Sequence, residues 1–284
     1  MNGGQKILLI IDALNAERFG DVLDEMYRLR ARVFAGRLGW DVQVRDGKEI
    51  DAFDAIDPAY VVGLDDDGHV VSCVRALQTT GPHMLADVFS DILDGEPPLR
   101  SPTIWESTRF CVDTDRLGRG RGPNTVSHAT CELMIGSLEF AMESGITDII
   151  TVIDPVMDRV LKRSDNAPYD YVGSAKPMGK VAALAALLDC TEERVARVRA
   201  FAGIAGDVFA DEDEVRALLD ARAAAAAPHA TTAVAPEDIL SYCTAQVDAA
   251  RTVEELDTAQ ALARMLLRDQ PGPERERLLE RQMH

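Results

Sequence analysis

The run Ile104-Trp105-Glu106-Ser107-Thr108-Arg109-Phe110-Cys111-Val112 is apolar and β-prone, yet it carries an acid and a guanidinium three residues apart. Burying either charge without a partner is costly, so each must meet a partner from elsewhere in the chain or from a ligand. Candidate partners lie upstream. Arg30 sits on an amphipathic run before Trp40, Asp51 and Asp54 lie within Glu49-Ile50-Asp51-Ala52-Phe53-Asp54, and Arg75 interrupts the apolar run Val70-Val71-Ser72-Cys73-Val74. Six charged residues set beside apolar neighbours suggest one polar constellation on a folded core. Such a constellation either handles a charged ligand or is a structural ion-pair network.

The elements that must position these groups follow from periodicity. Ile7-Leu8-Leu9-Ile10-Ile11 reads as a short first strand or an apolar flap. From Asp21 to Leu38, apolar residues recur at three and four, the period of a helix with one buried stripe. Arg28 and Arg32 read as its solvated arginines. Gly39-Trp40 ends it, and Asp41-Val42-Gln43-Val44 alternates as a strand would. Ala59 to Leu64 and Gly68 to Leu77 form a hairpin pair around Asp67-Gly68. Met84 to Leu93 has helical spacing and breaks at Gly95-Glu96-Pro97-Pro98. On a regular strand Glu106 and Arg109 point to opposite faces, so they share one site only through a bulge, or else each faces a different part of it.

Arg119-Gly120-Arg121-Gly122-Pro123-Asn124 then feeds a helical run from Thr125 to Glu143. Asp148 to Ile153 is a buried strand, and Pro155 to Arg163 is a short helix carrying Arg159, Lys162 and Arg163. A strand, helix, strand crossover of this length implies parallel neighbours with the helix packed on the sheet. Beyond Cys190 the pattern is helical throughout, from Thr191 onward. Ala223 to Ala227 with Pro228 reads as a joint, and Pro236 to Ala249 with Thr252 to Asp269 reads as a hairpin opened by the capping box Thr252-x2-Glu255. No catalytic constellation appears there, so packing or oligomerisation is its expected role.

Bulk properties bound the function. At 284 residues and 46% apolar content the chain can fill one core, and a net charge of −18 argues against a nucleic-acid binder. The five cysteines are odd in number and scattered without metal-ligand spacing, which fits reduced thiols in a cytoplasm. The apolar run at the N-terminus is far too short for a membrane span, so a soluble, unexported protein without a metal is expected.

The series Arg30-x3-Phe34-x5-Trp40, Asp51-x2-Asp54, Arg75 and Glu106-x2-Arg109-Phe110 resembles the signature of the acyl-homoserine-lactone synthases, the autoinducer synthases of bacterial quorum sensing. The resemblance covers about residues 20 to 190 and includes Arg37-Leu38-Gly39-Trp40 and Pro82-His83-Met84-Leu85. It departs at Thr108, where the family often has Ser, and at Gln78-Thr79, where Pro-Thr is common. It implies a three-layer α/β/α, N-acetyltransferase-like fold with a mixed central sheet. A synthase domain over residues 1–200 would then be followed by a helical extension over 201–284.

The same resemblance implies the chemistry. An acyl chain passes from a pantetheine thioester on acyl carrier protein to the amine of S-adenosylmethionine, the methionine carboxylate closes into a lactone, and methylthioadenosine leaves, with no further cofactor. Glu106 would be the base and Arg30, Asp51, Asp54, Arg75 and Arg109 would position the substrate. Phe34, Trp40 and Phe110 would bind substrate, with Phe34 and Trp40 forming walls for the adenosyl group. The N-terminal part would close over that group. Thr151 stands where a hydroxyl goes with acyl chains carrying a 3-oxo group. Arg159 and Arg163 stand at the family's carrier-docking positions, beside Lys162, Lys176 and Lys180. Arg119-x2-Gly122 resembles a pyrophosphate loop, although a surface turn is the better reading. Two other readings stand beside this one: an N-acyltransferase of the same fold using acyl-coenzyme A and another amine, and a silent binding protein.

Overall fold

The computed structural model describes residues 7–116, 126–178, 181–226, 236–267 and 272–280. Strand β1 (Ile7–Ile11) leads through a 3₁₀ turn into helix α1 (Gly20–Arg30), which continues as a π-helical segment over Ala31–Arg37. A two-residue hairpin, β2 (Val44–Arg45) and β3 (Lys48–Glu49), precedes β4 (Ala59–Leu64) and β5 (Val70–Gln78). A single helical turn, α2 (Met84–Asp87), leads to β6 (Ile104–Val112), α3 (His128–Glu143), β7 (Asp148–Ile153) and α4 (Pro155–Arg163). The strands β8 (Asp170–Met178) and β9 (Val181–Asp189) complete the sheet before α5 (Glu192–Ala202) and α6 (Glu212–Ala226).

Seven strands pair in the order β1-β4-β5-β6-β7-β9-β8, antiparallel except for the parallel pair β6–β7. The expected α3 crossover supplies that pair. Alternation along the strands divides the core between two faces. Leu8, Val61, Val74, Val112 and Ile149 meet α3 and α5 on one face, and Leu9, Ile11, Val62, Cys73 and Cys111 meet α1 and Val215 of α6 on the other. Close packing of α3 depends on Gly136, where a Cβ would come within 2.3 Å of Leu8. The expected α/β/α layering with a mixed sheet is therefore found. Among the described residues no helix is long and apolar enough to cross a membrane.

Several expected elements differ. Of the expected strand Asp41–Val44 only Val44 pairs, as the first residue of β2; Gly39 (φ +64°) turns the chain after the π-helical segment, and the main sheet is rejoined at β4. The Met84–Leu93 helix is split into α2 and a 3₁₀ turn over Ser90–Leu93. Strands β8 and β9 were not anticipated. The chain divides into compact units between Arg222 and Ala223, later than the sequence-based boundary after residue 200. The cause is α6, whose Val215 is buried and whose Arg222 bonds Glu25 and the Gly68 carbonyl. The second unit contains α7 (Pro236–Ala249), α8 (Val253–Leu266) and α9 (Pro273–Leu279), closed over Cys243, Val247, Leu256, Ala263, Leu267 and Leu278. The Thr252–Glu255 capping box is formed. Of the expected joint over Ala223 to Ala227 with Pro228, Ala223 to Ala226 form the end of α6, while Ala227 and Pro228, like residues 1–6, the 119–124 loop and Lys180, lie outside the described residues.

Candidate active site

The open question about β6 is resolved by a bulge. Cys73 pairs with Cys111 and Arg75 with Thr108, so Arg109 and Phe110 oppose Val74 alone, and Arg109 adopts φ +56°. The extra residue brings Glu106, Thr108 and Arg109 to the α1 face and turns Phe110 to the α3 face. A non-glycine residue at positive φ is strained and persists only where its surroundings hold it. Here Arg109 is held by two carboxylates.

Three arginines and three acids form one buried network. Arg30 donates to Glu49 Oε2 at 2.6 Å and grips both oxygens of Asp54 at 2.8 and 2.9 Å. Arg75 grips both oxygens of Asp51 at 2.6 and 3.0 Å, Asp54 at 2.7 Å and the Thr108 hydroxyl at 3.0 Å. Arg109 donates to Glu49 at 2.9 Å and to Asp51 at 2.7 Å. Asp51 and Asp54 also close a capping box on their own 3₁₀ turn, and Tyr60 donates to Asp54 at 2.7 Å. Burial alone would raise the Asp54 carboxyl, yet Arg30 and Arg75 hold it well below the usual carboxylate range.

Glu49 was missed in the sequence. It is 1% exposed and is the acid that joins Arg30 to Arg109. The signal available was its neighbour Asp51, two residues on in the same quoted run, but an acid in a turn-rich segment gives no reason to be buried. Thr108, noted there only as a departure, anchors Arg75.

Glu106 stands apart from this network. It is fully buried and accepts the backbone N–H of Met84 at 2.6 Å and of Leu85 at 2.8 Å. Burial pushes its carboxyl from 4.5 up to about 7, against the pull of these two N–H groups and of Arg75, with Asp87 adding to the rise. A carboxyl poised near neutral pH is suited to take a proton and return it.

Phe34 and Trp40 meet with ring centroids 5.1 Å apart, and the Arg109 guanidinium lies 5.5 Å from the Phe34 ring. Phe34 is buried and Trp40 is 37% exposed, so one aromatic wall is open beside the network. Phe110 is not brought there; it packs on the opposite face, against the α3 core. Thr151 is the last residue of β7 paired with β6, opposite Ser107, and its hydroxyl donates to the Ser107 carbonyl at 2.9 Å. Beyond that pair the two strands no longer pair, one register step from Glu106. On the α3 face, next to this opening, a small cavity of about 20 Å³ is lined by Val61, Val74, Trp105, Ser107, Phe140 and Ile149 among others.

Of the expected basic patch, Lys162 is engaged by Asp158 at 2.7 Å and lies over Tyr171, and Lys176 is engaged by Asp94. Arg159 and Arg163 are exposed, one turn apart on α4.

An autoinducer synthase family model matches residues 15–198. An acyl-homoserine-lactone synthase from Agrobacterium fabrum is 38% identical over 181 residues, covering 64% of this chain and 85% of the relative. One from Pseudomonas aeruginosa is 36% identical over 145 residues, covering 50% and 70%. Among solved structures, the synthase LasI superposes with TM-score 0.59 and 31% identity, covering 70% of this chain and 96% of LasI. MesI, described as a CoA-dependent acyl-homoserine lactone synthase, superposes with TM-score 0.61 and 29% identity, covering 72% and 99%. The fold and these relatives define an acyltransferase. The chain belongs to the autoinducer synthases, the acyl-homoserine-lactone synthase family.

Proposed function

We propose that this chain moves an acyl group from acyl carrier protein to the α-amine of S-adenosylmethionine and then closes the lactone. The observation that carries this reading is the dry Glu106 carboxyl beside a charge-balanced guanidinium–carboxylate network and an opening between β6 and β7. An α-ammonium has a pKa of about 8, so a base must take its proton before the amine can attack. Glu106 takes it. The amine forms the C–N bond, the thioester C–S bond breaks, and the pantetheine thiol leaves with a proton. The methionine carboxylate then attacks its own γ-carbon, the C–S bond to the sulfonium breaks, and neutral methylthioadenosine departs. Arg30, Asp51, Asp54, Arg75 and Arg109 position the methionine part, Trp40 and Phe34 take the adenosyl group, and the acyl chain enters where β6 and β7 part. Backbone N–H groups where the strands part stabilise the thioester oxygen. The test is mass spectrometry of purified protein given S-adenosylmethionine and acyl donors: lactone and methylthioadenosine must appear together. Amide product without methylthioadenosine would select the N-acyltransferase of another amine.

The donor is the second choice to make, since MesI is described as CoA-dependent. Carrier protein is favoured by α4. Acyl carrier protein is acidic, this chain carries −18, and Arg159 and Arg163 offer exposed charge on a helix beside β7. The double variant Arg159→Glu/Arg163→Glu is expected to raise the KM for the carrier about tenfold at low salt and to flatten its salt dependence, with little change for S-adenosylmethionine. Unchanged carrier kinetics would point to acyl-coenzyme A or to docking elsewhere.

We also propose that Thr151 selects 3-oxo chains. Its proton lies on the Ser107 carbonyl, so binding an oxo group means turning that proton onto the ligand. Thr151→Val is expected to shift products severalfold towards unsubstituted chains, at a stability cost of about 1 kcal/mol for the lost bond. An unchanged lactone profile removes Thr151 from specificity.

A further inference from the structure

Met84 touches both halves of the site. Its backbone N–H grips Glu106 Oε2 at 2.6 Å, and its thioether sulfur lies 3.4 Å from Arg75 Nη2 and 3.4 Å from Arg109 Nη1. The side chain is 6% exposed, so these contacts are made away from water. The turn that carries it, α2, is four residues long, too short to hold its place by its own hydrogen bonds. Its position is set by what its side chains meet. Leu85 packs with Ile92, Leu93 and Ile150, whereas the Met84 sulfur meets the guanidinium groups. A thioether is a weak acceptor, but two cationic donors converge on this one.

We propose that Met84 is a positioning residue: its sulfur, held by Arg75 and Arg109, fixes the turn whose two N–H groups orient Glu106. The inference rests on the reading of Glu106 as the base. It means that movement of either guanidinium is passed to the base through one side chain. The charged groups acting on Glu106 are Arg75 from β5 and Asp87 from α2, while β7 presents Ile150 and β5 pairs Leu77 with it. Among these, the Met84 and Leu85 N–H groups and Arg75 favour the ionised form, and burial and Asp87 oppose it. Loosening α2 therefore leaves Glu106 protonated to higher pH.

Met84→Leu keeps the volume and removes the acceptor, a swap that cores tolerate well. Met84→Gln keeps an acceptor of similar reach and is the poorer packing choice. The experiment measures methylthioadenosine release against pH for both variants, together with isotope-edited infrared titration of the Glu106 carboxyl. For Met84→Leu the acid limb and the Glu106 titration are expected to move up by about one pH unit, an approximately tenfold loss of kcat/KM below pH 7 that closes by about pH 9. Met84→Gln is expected to return both towards wild type. A role in packing alone predicts the reverse order, with Leu ahead of Gln. The proposal is overturned if the Leu variant titrates with wild type, or if Gln restores nothing. Should Glu106→Gln itself keep full turnover, the base assignment fails, and the infrared titration still decides whether Met84 governs the Glu106 proton.

Discussion

Glu106→Gln is expected to lower the turnover of lactone formation by roughly 10²- to 10⁴-fold, the range for loss of a positioned general base. The amide fills the same space but takes no proton. It also changes the local hydrogen bonding. Two backbone N–H groups, from Met84 and Leu85, point at the carboxylate, and an amide offers one oxygen and one NH₂. One N–H then faces a donor, which costs about 1–3 kcal/mol. Fold retention is therefore checked alongside turnover, by circular dichroism and thermal melting of the same preparation. Wild-type rates of methylthioadenosine release in a well-folded Gln variant would end Glu106's candidacy.

The same substitution has a pH signature. An acid raised from 4.5 to about 7 in the folded state keeps a proton that the unfolded chain has lost, so stability falls as pH rises through that window. The fall amounts to about 3 kcal/mol and is complete above about pH 7. Asp54 works the other way: its depressed carboxyl contributes stability that is lost on acidification below its ordinary range. Because the two windows do not overlap, the melting difference between wild type and Glu106→Gln should be largest near pH 5 and shrink towards pH 7.5. A pH-independent difference would mean that Glu106 is not raised by burial.

How far the sequence could be read depended on the range of the interactions. Local signals were sound: the stripe from Val22 to Phe34 became α1 and its π-helical continuation, Asp67-Gly68 turned a hairpin, and Thr252-x2-Glu255 capped a helix. Arg30 was set apart from Arg28 and Arg32 by the family resemblance and by no local signal, and it is buried while they are exposed. Strand β9, Val-Ala-Ala-Leu-Ala-Ala-Leu-Leu-Asp, lies between two strands and carries core on both faces, so it has no alternation to betray it and its composition suits a helix. The bulge at Arg109 was open as one of two possibilities because a bulge is a property of the strand pair, set by Arg75 opposite Thr108. Glu49 was silent for the same reason: its partners are 19 and 60 residues away.

That residue gives the largest expected loss of stability. With Arg30, Arg75 and Arg109 facing Glu49, Asp51 and Asp54, the buried network is balanced at three charges of each sign. Glu49→Gln keeps the shape and leaves one cation without compensation, which in a buried pair costs about 3–5 kcal/mol. For a unit of this size that is a drop of roughly 10 °C in melting temperature. Asp51→Asn should cost less, because the Asp51 side chain is 19% exposed and water can take part of the load. S-adenosylmethionine brings a sulfonium and an ammonium against one carboxylate, so a network with an extra positive charge should also bind it more weakly by at least tenfold, measured by calorimetry. The decisive comparison adds Arg109→Met to Glu49→Gln. Two cations then face two carboxylates, and an apolar side chain replaces a buried charge, so melting should recover while turnover does not. If Glu49→Gln alone melts within a degree or two of wild type and binds S-adenosylmethionine normally, Arg30 and Arg109 are held by Asp51 and Asp54 without it.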